Sequence, residues 1–500
     1  MGILISEVVH SIPTTDDIPV KQPYRKLPLP QFEEVKAHIE ELLQKGIIQH
    51  SNSPYASPIV LVRKKNGDLR LCVDYRLLNA KTKKDAYPLP RIDETFDALQ
   101  GASYFSSLDL AAGYNHVAVA PEDREKTAFV TPMGHYEYRR MPFGLTNAPA
   151  TFQRLMHKCL GDQLFQILLI FLDDLLIYSS SFEEMLDRLE VVLLRLRAFG
   201  LKLNPSKCYF LRRKLTYLGH QVSELGLTAD PDKCSAVENW APPQTLKQLP
   251  QFLGFVGYYR KFVPKFSLVA RPLYELVGLA ANKTKEKFRS LWTEECDHAF
   301  QELKGKLVTP PVLGFADFDL PFILETDASL QGLGAVLSQE QDGERKVLAY
   351  ASRSLRPHEK NVKNYSSLRL ELLALKWAVT EKFRDYLSFG HFYAYTDNNP
   401  LTYFETVKIG AVEQAWMAQL ASFQFKLIYK CGKSNIPADV LSRRALPETT
   451  ISKYGVEEQL YEITESPDRY FKLLHSSILP EEVQVAATQA VLRTDSPLQE

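Results

Sequence analysis

Residues 167–179 read ILLIFLDDLLIYS: an apolar run, two adjacent carboxylates at Asp173 and Asp174, then a second apolar run. Each run has strand length and is rich in β-formers, so the segment predicts a hairpin with two acids at its tip. Adjacent carboxylates repel, and flanking Leu172 and Leu175 lower the local dielectric, so a cation belongs at this tip when it works. Magnesium is the natural candidate. Taken alone, Asp-Asp is also ordinary turn chemistry, because Asp favours turns. The surrounding chain decides between these readings.

Upstream, residues 104–114 read YFSSLDLAAGY, a strand with Asp109 set between Leu108 and Leu110. A carboxylate in such a run either faces solvent or works. Residues 31–45 pattern as an amphipathic helix on Val35, Ile39, Leu42 and Leu43, stopped by Gly46. Residues 56–75, ASPIVLVRKKNGDLRLCVDY, read as two strands turned at Asn66-Gly67. That hairpin presents Arg63, Lys64, Lys65 and Arg70. Most basic hairpins are simply solvated, yet a rigid one is what triphosphate binding requires. Residues 126–156 give two strands about Gly134, a loop with Pro142, Gly144 and Pro149, and a helix leading into the acidic hairpin.

Downstream, Ser181 with Glu184 reads as the capping box of a helix that ends at Gly200. Residues 202–220 are basic and close on YLGH. Tyr258, Tyr259, Arg260, Lys261 and Lys265 mix rings and cations, which suits base stacking and phosphate contact, or equally a helix bundle with a wet face. Residues 274–292 are polar and weakly patterned and read as a linker. After Trp292 a helix leads to strands PFILETDAS, GLGAVLSQ and KVLAYAS, a long helix, and strand HFYAYTD. The order β-β-β-α-β with later helices implies an α/β layer fold.

A chain of 500 residues holds several domains, and 45% apolar with 24% charged content is ordinary for globular protein. Lys plus Arg and Asp plus Glu are both 60, so any affinity for a polyanion must be local. The 6 Cys are scattered without a CxxC pair, which argues against a zinc site and a disulfide framework. Short apolar runs and the lack of a cleavable leader point to a soluble intracellular protein with no membrane partner.

These motifs together carry a resemblance. Asp109 in LDLAAGY, the loop MPFGLTNAPATFQ, FLDD at 171–174 and YLGH at 217–220 resemble, in this order, the polymerase of gypsy-type LTR retrotransposons. TDAS, ASRSLRPHEKN, YSSLRLELLALKWAV, YTDNNPL and GKSNIPADVLSR resemble the ribonuclease H of the same elements. The match spans roughly residues 25–445. It implies an α+β chain: an extended arm at 1–30, fingers and palm of a right-hand polymerase at 31–222, a thumb-like helical region and linker at 223–290, a connecting segment at 291–320, an α/β ribonuclease H-like domain at 321–445, and a tail at 446–500.

The resemblance also implies roles. Asp109, Asp173 and Asp174 would bind the metal, magnesium with manganese as alternate, and Asp327, Glu371, Asp397 and Asp439 would do so in the second domain. Lys64 or Lys65 with Arg70 would hold the triphosphate, Tyr114 would exclude a 2′-hydroxyl, and Phe143 and Gly144 would flank the incoming nucleotide. Tyr217, Leu218 and Gly219 would grip the primer. The implied partners are RNA template, DNA primer, RNA-DNA hybrid and dNTPs, in the cytoplasm or within retroelement particles. Phe171 departs from the family's usual Tyr, which keeps the ring and loses a hydroxyl. KCGKSNIPAD lacks the His found before the last acid in cellular enzymes of this type. No Asp-Ser-Gly or Asp-Thr-Gly protease motif appears and no His-Cys zinc module follows residue 445, so protease and integrase are expected to be missing, as in a fragment or a released product. The rivals are a decayed or domesticated copy that only binds nucleic acid, and a scaffold with coincidental acids. A decayed copy loses its acids first, and all seven stand.

Overall fold

The computed structural model describes residues 8–63, 69–282, 288–361, 365–396 and 410–429, in two compact units that divide at Arg213 and Lys214. In the first unit, strands Leu168–Phe171 and Asp174–Ser179 form the expected hairpin, with Leu172 and Asp173 as its two loop residues. The second strand also pairs antiparallel with Tyr104–Asp109, which in turn pairs with Tyr209–Arg212. A sheet of four strands results, with the two acidic segments adjacent. Leu168, Ile170, Leu175 and Ile177 enter one core beneath helices Ala148–Leu160 and Phe182–Ala198, while Leu169 and Leu176 are buried as well. Burial on both faces is why the runs are continuously apolar instead of alternating.

The helix over Phe182–Ala198 starts where expected, with Ser181 Oγ accepting the Glu184 N–H at 3.3 Å. The reciprocal bond is displaced by one residue: the Glu184 carboxylate accepts the N–H of Ser180 at 2.9 Å. A second sheet of five strands carries Ser57–Arg63 and Leu69–Val73 as an antiparallel pair, the tip between them lying outside the described residues. The first helix runs Leu29–Gln44 and buries Val35 and Ile39. The N-terminal segment is extended yet packed. Val9–His10 pairs parallel with Ala118–Val119, Ile12 is 1% exposed, and the Ile12 N–H donates to Asp123 Oδ2 at 2.8 Å.

The second unit opens with antiparallel strands Lys214–Tyr217, His220–Ser223 and Gly226–Ala229, continues through helices, and ends in a sheet of five strands. That sheet has the order Glu344–Ser354, Gly332–Gln341, Phe322–Ala328, Phe392–Thr396, Phe425–Tyr429, antiparallel for the first three and parallel thereafter. Helix Ser367–Trp377 covers its core. Two features depart from the sequence reading. The presumed linker at 274–292 holds helix Arg271–Asn282, which buries Leu273 and Leu276, and helix Phe288–Leu291. The fifth strand, Phe425–Tyr429, stands where only helices were expected. Among the described residues no helix is long and apolar enough to cross a membrane.

Candidate active site

Asp109 is the last residue of its strand, and the register sets it directly opposite Asp174. The backbone holds the third acid beside them, since the Leu110 N–H donates to the Asp173 carbonyl at 3.3 Å. Leu172 has φ +56, a left-handed conformation that costs a non-glycine residue roughly 1–2 kcal/mol. Positive φ at the first of two loop residues is the sign pattern of a II′ turn. Gln153, fully buried on the neighbouring helix, meets this turn: its Oε1 accepts the Leu172 N–H at 3.2 Å, and its Nε2 lies 3.2 Å from His157 Nε2. Gly113 makes the close approach possible. A Cβ there would stand 3.0 Å from Phe152 Cζ and 3.4 Å from Asp173 Cβ.

The electrostatics follow from this crowding. Burial, then the charges of Asp173 and Asp109, push the Asp174 carboxyl up to about 6, with Lys207 opposing. Lys207 Nζ lies 3.0 Å from Asp109 Oδ2 and supplies a protein cation to the cluster. Among the described residues, no three Asp, Glu, His or Cys side chains are gathered as a ready-made chelate. The donor set nevertheless fits a hard divalent ion, being all carboxylate oxygen and short of positive charge by the measure of Asp174. Tyr114 is buried beside it, stacked on Phe143 at 4.7 Å and tilted on Phe152 at 5.4 Å. Its hydroxyl is pushed up to about 12 by burial and the Asp173 charge, so it stays protonated. Gly144, at φ +96, follows Phe143, and the Asn79 side chain clamps this loop: Nδ2 donates to the Gly144 carbonyl at 2.8 Å and Oδ1 accepts from Thr146 N–H at 2.9 Å.

Of the remaining positions, Arg70 is in register with Val62, whereas Lys64 and Lys65 lie outside the described residues. Arg63, the neighbouring cation, is bidentate to Glu34 at 2.9 Å. In the second unit, Tyr217 ends a strand and Leu218-Gly219 forms a two-residue turn with φ +46 and +71, the I′ sign pattern. Tyr258 and Tyr259, expected to stack or contact phosphate, spend their hydroxyls on this turn, donating to the Leu218 and Gly219 carbonyls at 2.6 and 2.7 Å.

Asp327 lies near the end of its strand, 53% exposed, with Lys265 Nζ 3.9 Å away. Glu371, the acid beside an apolar stripe, is buried, and its Oε1 accepts the Ala328 N–H at 3.2 Å, which brings it to the residue following Asp327. Asp397 and Asp439 lie outside the described residues, the described strand ending at Thr396. Sequence reasoning missed Gln153, Gly113 and Asn79. Gln153 and the loop it serves lie within or beside quoted motifs, yet nothing about a helical Gln signals a backbone contact.

Residues 62–222 match the reverse transcriptase (RNA-dependent DNA polymerase) family, and residues 292–394 match the RNase H-like domain found in reverse transcriptase. The class is therefore a reverse transcriptase domain followed by an RNase H-like domain. Among curated proteins, the chain is 39% identical over 479 residues to the Pol polyprotein of transposon 297 from Drosophila melanogaster, covering 93% of this chain and 44% of the relative. It is 40% identical over 421 residues to that of transposon opus (82% and 42%) and 33% identical over 492 residues to that of gypsy (95% and 47%), from the same organism. The chain is a homologue of these retrotransposon Pol polyproteins, and it spans less than half of their length. In fold it is similar to the foamy viral protease-reverse transcriptase, solved in complex with double-stranded DNA, with a TM-score of 0.76 at 23% identity over 84% of this chain and 73% of that one. A second structure of that enzyme gives 0.75 at 23%, over 85% and 88%.

Proposed function

We propose that this chain synthesises DNA on RNA and DNA templates and cleaves the RNA of RNA-DNA hybrids. The observation that carries the polymerase half is the register of Asp109 against Asp174 with Asp173 at the tip, where burial first, and then the charges of Asp173 and Asp109, raise the Asp174 carboxyl to about 6. Asp109, Asp173 and Asp174 would hold divalent metal, magnesium or manganese, which when bound supplies positive charge to the entering and leaving oxygens of phosphoryl transfer. The chain's own residues do the rest. The Leu172 turn, held by Gln153, orients the two tip carboxylates toward Asp109. Tyr114, flattened on Phe143, walls the site where a sugar would sit and disfavours a 2′-hydroxyl, while Phe143 and Gly144 flank the nucleotide. Lys64, Lys65 and Arg70 would take the triphosphate, and Tyr217, Leu218 and Gly219 the primer.

For hybrid cleavage, Asp327 and Glu371 would act with Asp397 and Asp439. Joining the two activities has a chemical logic, since copying RNA leaves a hybrid whose RNA strand must go before second-strand synthesis. The cytoplasm, or a retroelement particle, is the setting that fits. Primer extension on an RNA template with magnesium tests the polymerase half: Asp173→Asn is expected to abolish extension, and unchanged extension would overturn the assignment.

A further inference from the structure

A series of hydrogen bonds starts at the Leu172 turn and leaves it along the helix Ala148–Leu160 toward the surface. The Leu172 N–H meets Gln153 Oε1 at 3.2 Å, Gln153 Nε2 meets His157 Nε2 at 3.2 Å, and His157 Nδ1 meets the Tyr87 hydroxyl at 2.6 Å. Gln153 and His157, four residues apart, share a helix face. Gln153 is fully buried, whereas His157 and Tyr87 are half-buried.

Donor polarity runs one way along this series. A backbone N–H can only donate, so the Gln153 oxygen faces Leu172 and the amide NH2 faces the imidazole. His157 Nε2 must then carry a lone pair, and the ring hydrogen sits on Nδ1, where Tyr87 Oη accepts it. Every other state sets two donors face to face. With the hydrogen on Nε2, or with the ring doubly protonated, N–H meets NH2. If the amide then turns over, its NH2 meets the Leu172 N–H instead.

Tyr87 is itself held. Its N–H donates to Asp85 Oδ1 at 2.9 Å, and Arg154, bonded to the two Asp85 oxygens at 3.2 and 3.0 Å, lies over the Tyr87 ring at 4.6 Å. Arg154 and Asp85 are thus the charged pair beside the imidazole, and they neutralise each other, while Lys158 on the same helix is exposed. Burial alone lowers the His157 pKa from its ordinary value, so the neutral ring that this bonding needs is the form present at pH 7.

We infer that His157 is a positioning residue for DNA synthesis: neutral, and with its tautomer set by Tyr87, it locks the Gln153 amide onto the turn that presents Asp173 and Asp174. The inference rests on the polymerase reading above. Protonation of His157 unlocks the turn without altering any of the carboxylates.

The test is single-nucleotide extension by the full chain on an RNA template at saturating magnesium, with kcat and the KM for dNTP followed between about pH 7.5 and about pH 5.5. His157→Leu removes the acceptor and is expected to lower kcat by about five- to tenfold across that range, with KM near normal. His157→Gln, whose side-chain oxygen reaches the place of Nε2 and does not titrate, should recover most of that rate at the upper pH and lose less than the wild type at the lower. Asp174 titrates in both proteins, so the difference between their profiles isolates the imidazole. Tyr87→Phe frees the neutral ring to carry its hydrogen on Nε2 and should cost about two- to threefold in kcat. Nitrogen-15 spectra of the histidine-labelled chain, with the His157 signals assigned by their loss in His157→Gln, read the tautomer without any substrate, and hydrogen on Nδ1 is expected. Hydrogen on Nε2 overturns the inference. So does a His157→Gln profile that parallels the wild type, or an unchanged kcat in His157→Leu. A chain that shows the Nδ1 hydrogen yet extends no primer strikes the polymerase reading and upholds the lock on the turn.

Discussion

Asp174 sits in an environment that opposes its own charge. Its carboxyl is raised from 3.8 to about 6, chiefly by burial and then by Asp173 and Asp109. A carboxyl raised in the folded state contributes stability below its unfolded value, and that contribution is lost as pH rises through about 6. At neutral pH without divalent ions, Asp174→Asn is therefore expected to raise the melting temperature of the first unit by a few degrees, worth about 1 kcal/mol after allowance for solvent screening, while abolishing extension. Thermal melts at pH 7 and pH 4 check it, because the gain should shrink at the lower pH. Gln153 makes a different prediction. Gln153→Leu keeps the volume and strips the acceptor from the Leu172 N–H, leaving a donor unmatched at a cost of roughly 1–3 kcal/mol. The expected result is a ten- to hundredfold lower kcat for extension, by about 1.4 kcal/mol per decade, with a near-normal KM for dNTP. Gln153→Glu, which retains an acceptor, should recover part of it. The acids were legible because charge inside an apolar run is conspicuous. Gln153 was not, because its role depends on a hairpin 19 residues away.

At the scale of elements, the N-terminal segment was legible as extended and illegible as structural. Five prolines within residues 1–30 excluded helix, but nothing local said that Ile12 and His10 would be buried against the palm. His10 Nδ1 lies 2.8 Å from Thr151 Oγ1, and burial lowers its pKa to about 4, against the pull of Asp123 and Asp85. A His held neutral contributes stability above its unfolded value of 6.5, and that is lost as pH falls toward 4. His10 and Asp174 thus act with opposite sign over the same pH window. His10→Gln should flatten the acid loss of stability in the first unit, whereas Asp174→Asn should steepen it, and equilibrium denaturation from pH 7 to pH 4 reads both. Ile12→Ala should cost about 3 kcal/mol at any pH. Helix Arg271–Asn282 was missed because the lysines of residues 283–287 diluted the window, though Leu273 and Leu276 carried helical spacing. The strand Phe425–Tyr429 was missed because its parallel partner, Phe392–Thr396, is remote in sequence, and parallel pairing leaves no hairpin signal.

For the molecule as a whole, equal counts of 60 cationic and 60 anionic residues withhold any global affinity for a polyanion, so function rests on where charges gather. The acids stand at the ends of interior strands in two sheets, one in each compact unit, each with a lysine beside an acid: Lys207 on Asp109 and Lys265 near Asp327. Two units with separate cores should unfold as two transitions. Asp174→Asn should then move only one of them in calorimetry, and Leu337→Ala, which opens the second core by roughly 2–5 kcal/mol, only the other. The same separation is expected to govern activity. Asp327→Asn is expected to remove hybrid cleavage and leave primer extension within about twofold, while Asp173→Asn does the reverse, as a gel resolving both products can measure. If either change silenced both activities without shifting the other unit's transition, the two sites would not be independent.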